Sequence, residues 1–348
     1  MTRWDERLGS DVVVSRVFTS LLIAAAVAAL FVFGAGLWWL HEPMALQLPP
    51  GAQVLDLEIE PGTRADTAAE VVVASGVKVS PLLLQAWFRL SGQARQIKAG
   101  SYEITPGSTP RRLLSMLVRG EEALKSVTLV EGWNFRQVRS ALQKAEQITQ
   151  ETAGLSAETI MEKLGRPGVH PEGRFFPDTY TYAKGASDLA ILKRAANAMD
   201  KRAEAAWKLR SPDTPLRTPD QALILASIIE KETGKPADRA QIAGVFTNRL
   251  RIGMLLQTDP SVIYGLGEAF DGNLRKRDLQ TDTPYNTYTR AGLPPTPIAM
   301  PGRAALLAAV QPADTKALYF VARGDGSSQF SVSLDEHNRA VNKFIRGQ

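Results

Sequence analysis

From Leu21 to Leu40 the chain reads LLIAAAVAALFVFGAGLWWL, twenty residues without a charge. Wound as a helix at ~1.5 Å per residue, the run is about 30 Å long, the thickness of a bilayer's hydrocarbon core. Trp38 and Trp39 stand at its far end, where an aromatic belt sits. The apolar region of a cleavable signal peptide usually spans about 7–15 residues. This run is longer and no small-x-small site follows it, so it predicts a retained, single-pass transmembrane helix over 17–40. Arg3, Arg7 and Arg16 precede the span, and no Lys or Arg follows until Arg64. The positive-inside rule then puts residues 1–16 in the cytoplasm and everything beyond the span outside it. A chain so placed works away from ATP and nucleotide cofactors and close to cell-wall polymer.

The remaining length, within 348 residues of which 44% are hydrophobic and 22% charged, is enough for one large or two moderate domains with their own cores. The net charge of +5 is not gathered into blocks or interleaved with aromatics, so no nucleic-acid partner is expected. The absence of cysteine excludes disulfides, thiolate metal sites and a cysteine nucleophile. Three isolated histidines, His41, His170 and His337, argue against a zinc hydrolase or a Ser-His-Asp enzyme, because both chemistries need a histidine in a fixed constellation. No metal or cofactor is expected.

Past a spacer at 45–50 (ALQLPP), a strand–turn–helix pattern recurs. EIEPGTRADTAAEVVVASG (58–76) and EITPGSTPRRLLSMLVRG (103–120) carry Pro-Gly turns in phase, 45 residues apart. LVEGWNFRQVRSALQKA (129–145) is a looser copy with Glu-Gly at the turn. Between the first two, Ser80 and Pro81 are placed to start a helix, as Thr109 and Pro110 are later. Such units are common in small α+β domains, and no copy offers a convergent set of polar side chains.

TPDQALILASIIEKETGKP opens with Thr218 at the N-cap, Pro219 in the first turn and Gln221 three residues after the cap, and is stopped by Gly234 and Pro236. Its centre, LILASII, is apolar all round and predicts a buried helix. Glu230 and Glu232, two residues apart, lie about 200° apart around a helix. One is expected to face solvent or a salt bridge and the other a cleft. A carboxylate against an apolar wall keeps its proton to higher pH, as a general acid must. A second helix is expected to end near Arg251, followed by Gly253. The loops LLQTDPSVIYG (255–265), TPYNTYTRAGLPPTPIAMPG (283–302) and PEGRFFPDTYTY (171–182) concentrate Tyr, Asn, Thr and Gln among prolines. Rigid loops bearing planar and amide side chains suit carbohydrate.

ASIIEKET, VFTNRLRIGMLLQTDPSVIYG, YNTYT and GLPPTPIAMPG together resemble the YceG-like family of membrane-anchored endolytic murein transglycosylases. The likeness is dense from Pro171 to Phe344 and looser through IKAGSYEI (97–104) and LVEGWNF (129–135). The resemblance implies an α+β architecture: one N-terminal transmembrane helix, a small LysM-like glycan-binding module over 45–122, and a mainly helical catalytic domain with long loops over 123–348. It makes Glu232, in EKET, the catalytic residue, with Thr233 where other lytic transglycosylases carry serine. It implies non-hydrolytic cleavage of the β-1,4 MurNAc–GlcNAc bond within peptidoglycan glycan strands. Glu232 acts there as acid and then base, and a 1,6-anhydro ring closes at the muramyl end. Gln257, Asp259, Tyr285, Asn286 and Tyr288 are the expected substrate-positioning groups, although their amides suit loop closure equally. Glu172 and Asp178 are weaker candidates. The family also suggests coupling to peptidoglycan synthases, at the cell inner membrane with the catalytic domain periplasmic. Two rivals stand beside this reading: a two-carboxylate hydrolase using Asp259 or Glu172 with Glu232, and an anchored wall-binding scaffold without turnover.

Overall fold

The computed structural model describes residues 5–232 and 235–347, with side chains from Leu22 onward. It divides into two compact units, Met1–Leu124 and Lys125–Gln348.

The first unit begins with α1 (Asp5–Trp39), whose stretch Leu22–Trp39 is long and apolar enough to cross a membrane and is nowhere buried. It continues through β1 (Ala45–Leu46), β2 (Leu55–Ile59), α2 (Ala65–Ala74), β3 (Val77–Lys78), α3 (Pro81–Leu90), β4 (Gly100–Ile104) and α4 (Pro110–Arg119). Strand β2 alternates strictly, with Leu55, Leu57 and Ile59 buried and the residues between them exposed. It pairs antiparallel with β4, Leu57 opposite Tyr102. Each strand leads into a Pro-Gly turn whose glycine holds φ near +87°, at +86° for Gly62 and +88° for Gly107. A glycine takes this left-handed conformation without the steric cost of a Cβ. Thr109 caps α4 by accepting a hydrogen bond from the Arg112 amide at 3.2 Å. Ser80 occupies the N-cap of α3 without making the equivalent bond. The expected spacer is in part a structural element. Ala45 and Leu46 pair with Val77 and Lys78, Met44 is buried, and the Gln47 amide donates to the Gly76 carbonyl at 2.8 Å. The apolar side chains there supply the core contacts that a free linker would forgo.

The second unit holds β5 (Leu124–Thr128) from its second residue on, then α5 (Phe135–Lys144), α6 (Ala157–Lys163), β6 (Thr179–Ala183) and α7 (Asp188–Lys208). It goes on through α8 (Pro219–Glu232), α9 (Pro236–Arg251), α10 (Asp259–Leu266), α11 (Lys276–Gln280), α12 (Arg303–Val310), β7 (Tyr319–Ala322), β8 (Ser328–Ser331) and α13 (Leu334–Val341). β5 pairs with β6, and β7 pairs antiparallel with β8. Helix α8 is the hub, flanked by α7, α9, α10 and α12. Thr218 accepts from the Gln221 amide at 3.1 Å, and the Gln221 side chain reaches back to the Arg217 amide at 2.7 Å. Every residue from Ala222 to Ile229 is buried. The one polar member, Ser227, donates to the Ile224 carbonyl and accepts from the Ile298 amide at 3.0 Å, bolting the 294–300 loop to the helix. Gly234 and Thr233 lie outside the described residues; Pro236 opens α9, which ends at Arg251 with Gly253 just beyond.

Gly173, in the 171–175 turn, holds φ at +76°, and a Cβ there would sit 2.4 Å from the Pro297 side chain. Two proline-rich loops meet at this point, so Gly173→Ala is expected to lower stability by about 1–3 kcal/mol. The check is the Tm of the purified variant against the native chain by calorimetry.

Candidate active site

Glu232 is the last described residue of α8, where eight buried residues have carried the helix through the core. Its Oε1 accepts a short hydrogen bond from the Thr258 hydroxyl. Thr258 is itself fixed on every side. It is 1% exposed, its amide donates to Thr287 Oγ1 at 3.0 Å, and its carbonyl accepts from Ser261 Oγ at 2.8 Å. The Gln257 amide adds a bond to the Thr287 carbonyl at 3.1 Å, so the QTDP and YNTYT loops are strapped together under the carboxyl.

Burial pushes the Glu232 carboxyl up to about 7 from the ordinary 4.5. The Thr258 bond opposes this by favouring the charged form, the negative field of Asp259 adds to it, and Arg249 opposes it again. Arg249 leaves α9 and is 7% exposed. It donates to the carbonyls of Leu256 at 2.8 Å, Leu255 at 3.2 Å and Leu318 at 2.7 Å, and stacks over Tyr319. It therefore shapes the approach to Gln257 as well as lending charge.

Of the sequence candidates, Asp259 and Tyr288 join Glu232. The Tyr288 hydroxyl donates to Asp259 Oδ1 at 2.5 Å, and burial together with that carboxylate raises the phenol's pKa. Gln257 is adjacent and exposed, with φ at +51°, a left-handed conformation that costs a non-glycine residue free energy. Tyr285 belongs to a neighbouring space. Its hydroxyl pairs with Thr296 Oγ1 at 2.9 Å and its ring meets Tyr264 edge-on at 4.9 Å. Asn286 points away from both. It is fully buried, its amide nitrogen donates to the carbonyls of Asp278, Leu279 and Thr281, and its oxygen accepts from the Tyr288 amide. Of the two uses open to its amide, closing the loop is the one it makes.

Glu172 is 3% exposed and its pKa too is raised to about 7 by burial. The Phe135 amide donates to its two oxygens at 3.0 and 3.2 Å, and Tyr264 gives it a side-chain hydrogen bond. It lines a cavity of about 740 Å³ with Asn134, Lys231, Tyr264 and Tyr285, beside Pro260 and Ile263 of α10. Asp178 is exposed just before β6, 3.9 Å from Arg202. Glu230 differs from the expectation for the second glutamate of the pair. It is half-buried, and its Oε2 accepts from the Gly302 amide at 2.9 Å. A Cβ on Gly302 would come within 1.8 Å of Glu131 Oε1. Burial, countered by the Gly302 bond and reinforced by Glu131, raises the Glu230 pKa. The residue that faces solvent here is Lys231, between the two glutamates.

Thr258, Thr287 and Arg249 were not among the sequence candidates. Each lies inside a quoted motif (QTDP, YNTYT and TNRL), and the signal for them was the motifs' polar residues that no local cap or turn consumed.

A carboxyl raised to about 7 among strapped polar loops, on an α+β scaffold, has the property that a general acid requires. The chain belongs to the YceG-like family, whose sequence model matches residues 57–343. A protein of Bacillus subtilis named endolytic murein transglycosylase is 32% identical over 308 residues, covering 84% of this chain and 85% of that one. A Streptococcus pneumoniae protein of the same name is 27% identical over 72% of this chain, which spans 51% of that relative's length. The crystal structure of a yceG-like protein from Listeria monocytogenes is 26% identical, with a TM-score of 0.52 over 82% of this chain and 98% of that one.

Because the folded Glu232 pKa lies above its ordinary 4.5, the group's contribution to stability is complete below that value and is lost as pH rises through about 7. Glu232→Gln, which has no proton to lose, should match the native chain in Tm near pH 4 and exceed it at pH 8, by up to roughly 3 kcal/mol. Calorimetry at the two pH values tests this; equal differences at both would show that the carboxyl is not held protonated.

Proposed function

We infer that this chain is an endolytic murein transglycosylase and that Glu232 is its acid and base. The observation carrying the assignment of Glu232 is its carboxyl, raised to about 7 by burial and bonded at Oε1 to Thr258, inside the EKET motif. In the proposed reaction, protonated Glu232 donates to the glycosidic oxygen of the β-1,4 MurNAc–GlcNAc bond, which breaks at the muramyl C1 and leaves a 4-hydroxyl on GlcNAc. The substrate's N-acetyl group stabilises the cationic centre. Glu232 then takes the proton of the muramyl C6 hydroxyl as its oxygen bonds to C1. Atoms balance without water, and the glutamate ends protonated, ready for another turn. An intramolecular nucleophile held in place can reach effective molarities of about 10⁵–10⁸ M, which outcompetes solvent.

In this reading Asp259, Tyr288 and Gln257 position the sugar at the bond, with Arg249 and Thr258 holding them. Tyr285 and Tyr264 offer aromatic surface in the cavity beside Glu172 for the adjoining part of the strand. The 45–122 region is proposed as a LysM-like glycan-binding module, supported by its paired strand–turn–helix units. The apolar run of α1 is proposed as a single-pass inner-membrane anchor with its N-terminus cytoplasmic, which puts the second unit in the periplasm beside the peptidoglycan synthases.

The experiment is mass analysis of products released from purified murein. Native chain should give termini lighter by one water, and Glu232→Gln should lose about 10²–10⁴-fold in rate. Reducing termini of full mass would make the enzyme a hydrolase and turn attention to Glu172 or Asp259 as the second carboxylate. The pH profile gives a further check. Rate should fall as pH rises through about 7, because the acid form is lost. Asp259→Asn should move that midpoint down by removing a negative neighbour, and Thr258→Val should move it up by removing the donor that favours the charged form. Shifts in the opposite directions would disconnect Glu232 from the limb.

A further inference from the structure

Helix α3 carries an apolar face that the core does not use. Leu84 and Phe88 point into the first unit's core and are fully buried, whereas Leu82, Leu83 and Leu90 are 72%, 52% and 85% exposed. Leu83, Trp87 and Leu90 stand at i, i+4 and i+7 and so share one stripe of the helix, with Leu82 and Ala86 beside it; Trp87 is half-buried and also packs against the core. Three leucines exposed on one ten-residue helix gather apolar surface of the kind that marks protein or membrane interaction sites.

The position of this stripe says what covers it. The C-terminal end of α1 is fastened to the same unit. Trp39 packs against its core, the Arg111 amide donates to the Leu40 carbonyl at 3.4 Å, and the Met44 amide donates to the Ser108 carbonyl at 2.8 Å. Leu37, Leu40 and His41 at the end of α1 share a cavity of about 480 Å³ with Trp87 and Ser91 of α3 and with Arg111 and Arg119 of α4. The stripe therefore begins beside the last turn of the apolar span, at the level where Trp38 and Trp39 would meet lipid headgroups. Cationic side chains lie next to it, as at surfaces that meet anionic phosphate, although Arg119 is also 3.6 Å from Glu121.

We propose that α3 is an interfacial membrane helix. It lies on the bilayer with Leu83 and Leu90 set into the headgroup–acyl boundary and Leu82 at its edge, and Arg111 and Arg119 contact lipid phosphate. Helices of this kind sink about 5–10 Å, well within the reach of leucine side chains from a helix lying flat. The inference rests on α1 being a membrane anchor and adds a second contact to it. Fastened through Leu40 and Met44, α1 ties the first unit to the span, and α3 gives that unit a contact of its own with the lipid surface. With α3 docked, the unit is held flat on the membrane, and a glycan strand reaches it only close to the lipid surface.

The chain has no cysteine, so single thiols can be introduced without removing any. Full-length Leu82→Cys, Leu83→Cys, Leu90→Cys and Phe33→Cys variants, each labelled with an environment-sensitive fluorophore, are placed in nanodiscs containing anionic phospholipid. Each is read with brominated acyl chains and with aqueous iodide as quenchers. The proposal expects bromolipid to quench the labels at 83 and 90 as it does the label at 33, with iodide ineffective at all three and position 82 intermediate. Labels at 82, 83 and 90 open to iodide, with position 33 quenched by bromolipid, would overturn the docking and leave the anchor standing. Labels at 82, 83 and 90 shielded from both quenchers would overturn it in favour of a protein partner or a second copy. A label at 33 open to iodide would overturn the anchor, and the docking with it.

Discussion

Ala222–Ile229 are all buried, and this decides where the two glutamates at the end of α8 can go. A helix buried over two turns delivers its last turn to the edge of the core, not to bulk water. Both carboxyls arrive partly desolvated and beside the negative end of the helix dipole, and both effects disfavour the charged form. A surface helix ending in the same EKE would leave its glutamates ordinary. The apolar run LILASII is thus as much a part of the site as the carboxyl it carries, because it sets the medium in which that carboxyl titrates.

The desolvated acid then needs neighbours that hold still. Gln257 is kept in a left-handed backbone conformation that costs on the order of 1–3 kcal/mol for a side chain of its kind. Two fastenings oppose that cost: the Thr287 carbonyl under the Gln257 amide, and Arg249 across the carbonyls of Leu255 and Leu256. The Arg249 guanidinium also faces Tyr319 and Leu318, so its positive charge is spread over carbonyls and a ring instead of being delivered to Glu232 as an ion pair. This explains how a buried arginine stands near the acid while the carboxyl's pKa remains raised.

Local features were legible in the sequence and distant ones were not. The Pro-Gly turns at 61–62 and 106–107, the Thr218 cap and the end of α9 near Arg251 each depend on residues within a few positions, and pattern reading reaches that far. Glu230 could not be read that way, because its partner, the Gly302 amide, lies 72 residues on. Asn286 was ambiguous for a related reason. An amide in a polar loop reads equally as a ligand group or a loop brace, and three carbonyls converging on its nitrogen exist only in the folded loop. The leucines of VSPLLLQAWFRLSG divide between core and exterior only once α3 is docked, since its periodicity says that a helix is amphipathic and not how wide its buried stripe is.

Two carboxyls in the second unit share a raised pKa of about 7, so pKa alone cannot single out the acid. Saturation separates them. The Phe135 amide reaches both oxygens of Glu172, and Tyr264 supplies a further hydrogen bond. Such a group holds the start of α5 in place and has little freedom to turn toward a substrate. At Glu232 the described hydrogen bond is the one that Oε1 accepts from Thr258, and in the proposed reaction Oε2 faces the glycosidic oxygen. A general acid must approach its proton acceptor to within hydrogen-bond distance, and a carboxyl whose oxygens are already engaged has to break those bonds to do so. Equal titration with unequal coordination among the described residues therefore supports the proposal that Glu232 does the chemistry and Glu172 the bracing.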